Sequence, residues 1–266
     1  MLKRVVPTVK KIKQALFFPV GGMNKIVLNK RVLVATHHKT GTKWLATIFK
    51  KISIKLRLKY FYGRQENLPK DFDIFFQDHS TFDFDRFQNQ YKGLHMIRDP
   101  RDTIVSGCFY HRKSREHWLH IKRKRFGGLS YQEKINSYES FDDQLLFEME
   151  HSGRGGIQAM LAWDYDNSAF LEVKYEDLIK DTNLFLFHKI FAFLGFPGRY
   201  LPEILKISYE NSLFSGKLRR SDHLRSGKTG QWEKYFKPTH KKKFLALFDN
   251  SLIKLGYETD NKWADI

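Results

Sequence analysis

The sequence contains a single cysteine, Cys108, among 266 residues. One thiol cannot close an intrachain disulfide, and it cannot build the cysteine cluster of a zinc or iron–sulfur site. No apolar run approaches the roughly 18 residues that a membrane-spanning helix requires. Histidines and carboxylates show no metal-ligand spacing either, so we expect no bound metal.

Acidic residues are scarce relative to basic ones. The chain has 29 Asp and Glu against 47 Lys and Arg, a formal net charge of +18. This excess favours an anionic partner, which could be nucleic acid, a phosphate or sulfate group, an acidic polymer or a membrane surface. Hydrophobic residues make up 41% and aromatic residues 15% of the chain, which is enough for a sizeable core and excludes global disorder.

The 7 prolines and 17 glycines are scattered, and we find neither a repeat nor a low-complexity linker. We therefore predict one domain over residues 1–266, with a basic N-terminal segment at 1–29 and a core at about 30–255. The N-terminal segment carries a short apolar patch, Ala15 to Val20. It fits either packing on the domain or lying on a membrane surface. We expect a cytoplasmic protein, with peripheral membrane contact through basic segments as the alternative.

Short apolar runs alternate with segments of helical periodicity. The runs that predict strands are Arg31–Thr36, Phe72–Phe76, Gly93–Ile97 and Phe170–Val173. Helices are predicted over 42–51, from Pro100 onward, and over 131–151, 156–165, 182–194, 200–210 and 238–255. Asp99 is a suitable N-cap for the helix that begins at Pro100. This alternation predicts an α/β fold with a central parallel sheet and helices on both faces.

The segment His37 to Trp44 (HHKTGTKW) lies between the first predicted strand and helix. A glycine-containing loop that enters a helix offers converging N–H groups and a positive field to a phosphate or sulfate. Lys39 adds a charge, and Thr40 and Thr42 add hydroxyls. The Walker A pattern does not match, because no glycine lies five residues before Gly41. Taken alone, the loop also fits a plain strand-to-helix turn.

Two further segments carry basic and hydroxyl groups. Arg98 follows a predicted strand, at the edge where α/β sheets bind ligands, and Ser106 follows it by eight residues. Together they could clamp a phosphate, although Arg-Asp pairs at a helix start are often structural. The segment Arg225 to Trp232 (RSGKTGQW) is a basic, glycine-containing loop suited to closing over a phosphate, or an ordinary surface loop.

Together, these three segments resemble the PAPS-dependent sulfotransferase family, in its cytosolic type of domain, over roughly residues 30–255. They are similar, in order, to that family's Y-P-K-S-G-T-T-W loop, its Arg and Ser eight residues apart, and its R-K-G-x-x-G-D-W loop. The chain departs from the pattern with His37-His38 in place of Tyr-Pro, Lys43 in place of a threonine, and Ser226 in place of a lysine. The family's dimer motif is not legible around Lys234 to Lys243, which leaves the oligomeric state open.

The resemblance implies in-line transfer of the sulfuryl group of 3′-phosphoadenosine-5′-phosphosulfate (PAPS) to a hydroxyl or amine, without a metal. It implies two catalytic residues, the base His79 and the cation Lys39. The implied donor-binding residues are Lys39, Thr40, Gly41, Thr42, Lys43, Trp44, Arg98, Ser106, Tyr175, Ser212, Arg225, Ser226 and Gly227.

The sequence does not identify the acceptor, which could be a small molecule, a glycan or a lipid. The segment His111 to Arg125 carries seven Lys and Arg. It fits either a solvated basic face or a surface that attracts an acidic acceptor or a membrane. A P-loop-type nucleotide kinase is an alternative, but its Gly-Lys-Ser/Thr is missing. A nucleic-acid-binding protein is a weaker one, because no base-reading motif accompanies the charge, and we expect no nucleic-acid partner.

Overall fold

The computed structural model of the protein describes residues 26–88, 90–216 and 227–265. Its strands are β1 (Arg31–Thr36), β2 (Tyr60–Tyr62), β3 (Ile74–Gln77), β4 (Tyr91–Ile97) and β5 (Phe170–Lys174). They form one parallel sheet in the order β2-β3-β1-β4-β5. The predicted α/β fold with a central parallel sheet is therefore confirmed.

Helices cover both faces of this sheet and one end of it. Those in the described residues are α1 (Thr42–Leu56), α2 (Pro100–His111), α3 (Tyr131–Asn136), α4 (Phe141–Glu150), α5 (Ser152–Leu161), α6 (Tyr175–Leu178), α7 (Phe185–Phe193), α8 (Leu201–Glu210), α9 (Trp232–Tyr235), α10 (Pro238–Phe248) and α11 (Ser251–Lys254). Short 3-10 turns join several of them.

The central strand β1 is apolar on both sides, which is why it lies in the middle of the sheet. Val32 and Val34 belong to a core with α1, α7 and α8, whereas Leu33 and Ala35 belong to an aromatic core on the opposite face. All four side chains are fully buried, and each valine or leucine contributes about 1.5–3 kcal/mol. Because the sheet is parallel, the segments that follow β1, β3 and β4 all emerge at one edge, here called the carboxyl edge.

A third core lies beside the sheet, between α2, α4, α5 and α10. Ile104, Leu145, Met149 and Phe244 are among its fully buried members. The helix α2 begins at the carboxyl edge, with the Asp99 side chain accepting a hydrogen bond from the N–H of Arg101 (2.9 Å). Because of this packing, polar side chains of α2 and α4 are buried in the interior, next to the carboxyl edge.

Individual elements differ between the sequence predictions and the structure; the helix predicted over 156–165, for example, is Ser152–Leu161. The strand β2 was not predicted, because its three residues lie at the sheet edge and are only partly buried. The predicted helix over 131–151 is divided into α3 and α4, since the Ser140 hydroxyl starts a new helix by accepting from the N–H of Asp143 (3.0 Å). The predicted helix over 238–255 is divided at Asp249, whose φ of +43° ends α10.

Within residues 26–88, 90–216 and 227–265, no helix is long and apolar enough to cross a membrane. The same ranges hold no group of three or more His, Cys, Asp or Glu that could bind a metal ion. Most of the basic N-terminal segment, residues 1–25, lies outside the described residues.

Candidate active site

The loop from His37 to Gly41, here called the donor loop, is shaped by its own hydroxyl groups. The Thr40 hydroxyl donates to the carbonyl oxygen of His37 (2.8 Å) and accepts from the N–H of the same residue (3.1 Å). The Thr42 hydroxyl donates to that carbonyl as well (2.9 Å). The backbone thus turns directly into the N-terminus of α1, where N–H groups and the helix dipole favour an anion. Contact of these two threonines with a ligand stays a prediction.

Two residues of the donor loop adopt a left-handed backbone. Gly41 has φ +102°, and a Cβ atom there would lie 2.9 Å from the ring of Tyr175. Lys39 has φ +66°, a costly conformation for a residue with a side chain. Its carbonyl oxygen accepts a hydrogen bond from Nη1 of Arg98 (3.2 Å), which stabilises this conformation. The loop therefore depends on β4 and α6 for its shape.

Arg98 joins the three sequence motifs in space. Besides its bond to Lys39, its Nη2 donates to Oδ2 of Asp102 in α2 (3.2 Å) and to the carbonyl oxygen of Lys228 (3.1 Å). The ring of Tyr175 lies 4.5 Å from the guanidinium carbon. Only 8% of Arg98 is exposed, and a guanidinium this deep is costly unless it has partners of this kind. Segments that are distant in sequence therefore converge on this side chain.

The third motif, Arg225 to Trp232, contacts the same group of residues around Arg98. Oδ1 of Asp102 accepts a hydrogen bond from the backbone N–H of Trp232 (3.0 Å), and the Tyr175 hydroxyl donates to the carbonyl oxygen of Gly227 (3.3 Å). Burial raises the pKa of Asp102, against the opposing effects of Arg98 and the Trp232 N–H. Residues 227–232 consequently lie beside Arg98. Arg225 and Ser226 lie outside the described residues.

Trp44 and Tyr175, two of the implied donor-binding residues, lie together below the donor loop. Their rings meet edge to face with centroids 6.0 Å apart, and Trp44 makes the same kind of contact with Phe187. Both side chains belong to the core beside α1. The structure therefore brings them together, and their contact with the donor stays a prediction.

The two predicted serines differ in their surroundings. Ser106 lies about two turns into α2 and is partly buried, on the helix that begins just after Arg98. Ser212 is fully buried after α8 and donates its hydroxyl to the carbonyl oxygen of Ser208 (2.6 Å). The Ser212 hydroxyl is thus engaged within its own segment, and a donor contact of either serine stays a prediction.

His79 follows β3, on the other side of β1 from Arg98. Its side chain is 69% exposed, and its Nε2 lies 3.7 Å from Oδ1 of Asp78. The next residue, Ser80, anchors this segment to the sheet by donating its hydroxyl to the carbonyl oxygen of Thr36 (2.9 Å). The imidazole therefore lies at the carboxyl edge and is open to a molecule that approaches from solvent.

Sequence reasoning missed Tyr62, on the edge strand β2. Its hydroxyl donates to Oδ2 of Asp78 (2.8 Å), and Nζ of Lys43 lies 5.4 Å from the centroid of its ring. Burial, followed by the charge of Asp78, raises the pKa of the Tyr62 phenol above its ordinary range. The phenol therefore stays a hydrogen-bond donor. Its only signal in the sequence is the aromatic triplet YFY, which is too short to indicate a strand.

The sulfotransferase domain family matches this chain over residues 75–256, which is more than half of its length. The chain belongs to the sulfotransferase family. Mouse sulfotransferase 2A2 is 26% identical to it over 264 residues, which cover 86% of this chain and 87% of that protein. Human sulfotransferase 2A1 is 23% identical over 272 residues, which cover 88% of each chain.

Solved structures show the same fold. A mouse sulfotransferase (SULT7A1) complexed with PAP superimposes with a TM-score of 0.58 and 20% identity, over 85% of this chain and 84% of that one. A retinol dehydratase in complex with androsterone and inactive cofactor PAP superimposes with a TM-score of 0.52 and 17% identity, over 86% and 82%. The enzyme class predicted from the sequence, a sulfotransferase, is confirmed by the family match.

This sulfotransferase has two histidine chains that sequence reasoning did not find. In the first, Nε2 of His37 lies 2.8 Å from Nε2 of His95 on β4, and Nδ1 of His95 lies 2.5 Å from Oε2 of Glu172 on β5. Burial lowers the pKa of His37 well below its ordinary value and that of His95 to about 3, and burial raises the pKa of Glu172 to about 7. Both imidazoles are therefore neutral near neutral pH.

The second chain runs from the donor loop into the helical core. Nε2 of His38 lies 2.9 Å from Nε2 of His111 at the end of α2, and Nδ1 of His111 lies 2.8 Å from Oε2 of Glu148 on α4. The Tyr131 hydroxyl donates to the same carboxylate oxygen (2.8 Å). The only sequence signal for either chain is the pair His37-His38, at the point where the family pattern has Tyr-Pro.

Proposed function

We propose that this sulfotransferase binds PAPS at the carboxyl edge of the sheet and transfers its sulfuryl group to a hydroxyl or amine of a small-molecule, glycan or lipid acceptor. The observation that carries the proposal is the convergence of the three motifs on the buried guanidinium of Arg98. The PAP complexes of the two structural relatives support the same donor.

The donor side uses the donor loop, the N-terminus of α1 and the start of α2. Backbone N–H groups at the start of α1 bind the 5′-phosphosulfate, since the dipole of this 15-residue helix favours an anion there. Arg98 and Ser106 bind the 3′-phosphate, the first through its guanidinium and the second through its hydroxyl. Trp44 and Tyr175 contact the adenine. Arg225, Ser226 and Gly227 are further proposed contacts of the donor phosphates.

Transfer is an in-line displacement at sulfur. A bond forms between the acceptor oxygen or nitrogen and sulfur, while the bond from sulfur to the 5′-phosphate oxygen breaks. The electron pair leaves with the phosphate, and Lys39 stabilises the charge that develops there. His79 accepts the proton of the acceptor, for which its exposure at the carboxyl edge is suited.

The acceptor side includes His79 and the exposed part of the basic segment His111 to Arg125. Several basic residues of this segment are exposed, as is Ile121, which is 44% exposed. We infer an acceptor with anionic character, either a small molecule or the exposed headgroup or sugar of a larger one. We also propose that the chain forms one sulfotransferase domain with its core at about 30–255. The family match favours this activity over a nucleotide kinase or a nucleic-acid-binding protein.

Thermal unfolding with three ligands tests the donor assignment. Saturating PAP, at about 100 times its Kd, is expected to raise the Tm by about 5–10 °C, whereas ATP and a DNA duplex leave it nearly unchanged. A chain stabilised by ATP or DNA and unaffected by PAP would contradict the proposal. Transfer of radiolabelled sulfate from PAPS to a panel of phenols, alcohols, amines and acidic glycans then identifies the acceptor class.

A matched pair of arginine variants locates the ligand. Arg98→Ala is expected to remove about half or more of the PAP-induced rise in Tm. Arg86→Ala removes a guanidinium that pairs at 3.1 Å with Asp83 on the surface, and it should leave the rise intact. Equal losses in both variants would mean that PAP binds through general charge and not at the carboxyl edge.

A further inference from the structure

Arg101 lies in the first turn of α2, three residues after Arg98, and only 3% of it is exposed. Its Nε donates to Oδ1 of Asp99 (3.0 Å), and its Nη2 donates to Oδ2 of the same carboxylate (2.8 Å). This paired contact already gives the buried guanidinium a counter-charge. The mechanism above gives Arg101 no role, although it directly precedes Asp102 in the chain.

A second carboxylate and two indole rings contact the same guanidinium. Nη1 of Arg101 lies 2.6 Å from Oε1 of Glu258. The guanidinium carbon lies 3.8 Å from the centroid of the Trp232 ring and 4.8 Å from that of Trp263. The two indoles meet edge to face, with centroids 5.7 Å apart. Arg101 therefore joins two distant parts of the chain to the start of α2: the third sequence motif, through its tryptophan, and residues 257–263.

Residues 257–263, here called the clamp segment, have a second anchor near the candidate site. The Tyr257 hydroxyl donates to Oε2 of Glu176 (3.1 Å), and Oε1 of Glu176 accepts from the backbone N–H of Asp99 (3.0 Å). Glu176 directly follows Tyr175, which is one of the proposed donor contacts. Both anchors of the clamp segment thus adjoin residues that the proposed function places at the donor.

Trp232 connects the clamp segment to Arg98. Its backbone N–H donates to Oδ1 of Asp102, and Oδ2 of that carboxylate accepts from Nη2 of Arg98. The carbonyl oxygen of Lys228 accepts from the same Nη2 (3.1 Å). The N–H of Trp232 fixes one point of its segment, and the contacts of its ring fix the orientation. Loss of the ring contacts would therefore let residues 227–232 shift relative to the guanidinium of Arg98.

We propose that Arg101 and the clamp segment hold residues 227–232 in place, so that Arg98 stays oriented to bind the 3′-phosphate of the donor. Arg101 is then a positioning residue, and donor affinity depends on contacts with a distant part of the chain. The family match ends at residue 256, so the clamp segment lies beyond the matched residues. This inference rests on the proposed function, because the orientation matters only if PAPS binds there.

Calorimetric titration of the full chain with PAP tests the proposal without knowledge of the acceptor. Trp263→Leu removes one indole from Arg101 and is expected to weaken PAP binding about three- to tenfold. Affinity for adenosine 5′-phosphosulfate, which lacks the 3′-phosphate, should change little. Trp263→Phe retains an aromatic ring and should keep most of the PAP affinity. A merely structural role of Trp263 would lower the Tm and leave both affinities of the folded protein unchanged.

A double-mutant cycle shows whether the effect passes through Arg98. In the Arg98→Ala background, Trp263→Leu should cause almost no further loss of PAP affinity, because the side chain that it helps to orient is absent. Two losses that add in full would mean that the clamp segment acts on the donor site by another route, and they overturn the proposal.

Glu258→Ala is a second variant, expected to weaken PAP binding about two- to fivefold, as for the loss of a partly exposed ion pair. Glu203→Ala is its matched control and should leave PAP affinity unchanged, because the two side chains are similarly exposed (26% and 23%) and each pairs with a basic side chain.

Glu258→Ala decides alone if Trp263→Leu does not fold, since its side chain lies at the exposed border of the cluster. Unchanged PAP affinity in the variant that decides, or an equal loss for PAP and adenosine 5′-phosphosulfate, overturns the proposal. Absence of PAP binding to the unmodified protein overturns the proposed function itself, and this inference with it.

Discussion

The two sides of β1 at the carboxyl edge are built in opposite ways. On the β4 side, Arg98 is buried and bonded to Lys39, Asp102 and Lys228. On the β3 side, the His79 side chain is 69% exposed and that of Asp78 is 42% exposed. One side is a closed network with few open polar positions, and the other is an open surface.

This difference matches the two tasks of the proposed reaction. The donor is the same molecule in every turnover, so a rigid site with charges in a buried setting is suited to it. A base must instead meet whatever acceptor arrives, so it needs access more than burial. The difference also determines how a mutation is interpreted. A substitution on the buried side changes both the structure and the reaction, whereas a substitution on the exposed side changes the reaction alone.

The largest effect is expected for Lys39→Ala on the donor side. Turnover should fall by about 10²–10³-fold, because the charge on the leaving phosphate grows mainly in the transition state. PAP affinity should fall far less. Steady-state kinetics and PAP titration check this, with Lys55→Ala, a surface lysine at the end of α1, as the control. Equal losses in turnover and PAP affinity would remove the proposed role.

The next effect is expected for His79→Gln on the acceptor side. Sulfuryl transfer should fall by roughly 10²-fold or more. PAP affinity and Tm should be unchanged, because the side chain is exposed and faces the acceptor. A variant that keeps a near-normal rate would exclude His79 as the base, and the neighbouring Asp78 would become the candidate.

A smaller effect on binding is expected for Arg98→Ala. PAP affinity should fall by roughly 10- to 100-fold, as is usual for the loss of a charged hydrogen bond. Affinity for adenosine 5′-phosphosulfate, which lacks the 3′-phosphate, should change little. Calorimetry with both ligands measures the contrast. If both ligands bind more weakly to the same extent, Arg98 acts by holding Lys39 and Lys228 in place.

The smallest effect is expected for Tyr62→Phe. Loss of the hydrogen bond to Asp78 should lower kcat by about two- to fivefold, because Asp78 would be held less firmly beside His79. PAP affinity should not change. Phe61→Leu, on the same edge strand but on the opposite side of the sheet, is a control for packing. A loss of PAP affinity in Tyr62→Phe would show that the two sides of β1 are not independent.

Much of the architecture is predictable from local patterns. The apolar run Arg31–Thr36 identifies the central strand, and the alternation of such runs with helical segments predicts the parallel sheet, which the structure confirms. The motif order also predicts the sulfotransferase family, which the family match confirms. The edge strand β2 and the breaks at Ser140 and Asp249 were not predicted, because three residues or one capping bond leave too little signal in a sequence.

For the individual site residues, the sequence predicts their positions, whereas their roles are still to be tested. The sequence places Lys39, Arg98 and His79 after three strands, and parallel pairing brings the ends of those strands to one edge. Their roles as cation, phosphate ligand and base remain predictions for the experiments above. Tyr62 and the two histidine chains could not be found, because they depend on contacts between residues that no motif connects.

By itself, the sequence determined the order of the strands and helices along the chain, and it predicted which segments bind an anion: a glycine-containing loop before a helix, and an arginine after a strand, in a chain with an excess of basic residues. Only the tertiary structure decided which charged side chains are buried and which partners they have. Glu148 illustrates the reason, because its contacts with His111 and Tyr131, and the space left by Gly107, come from three separate segments. A side chain's protonation depends on burial and on neighbours brought together by packing, and local sequence patterns contain neither.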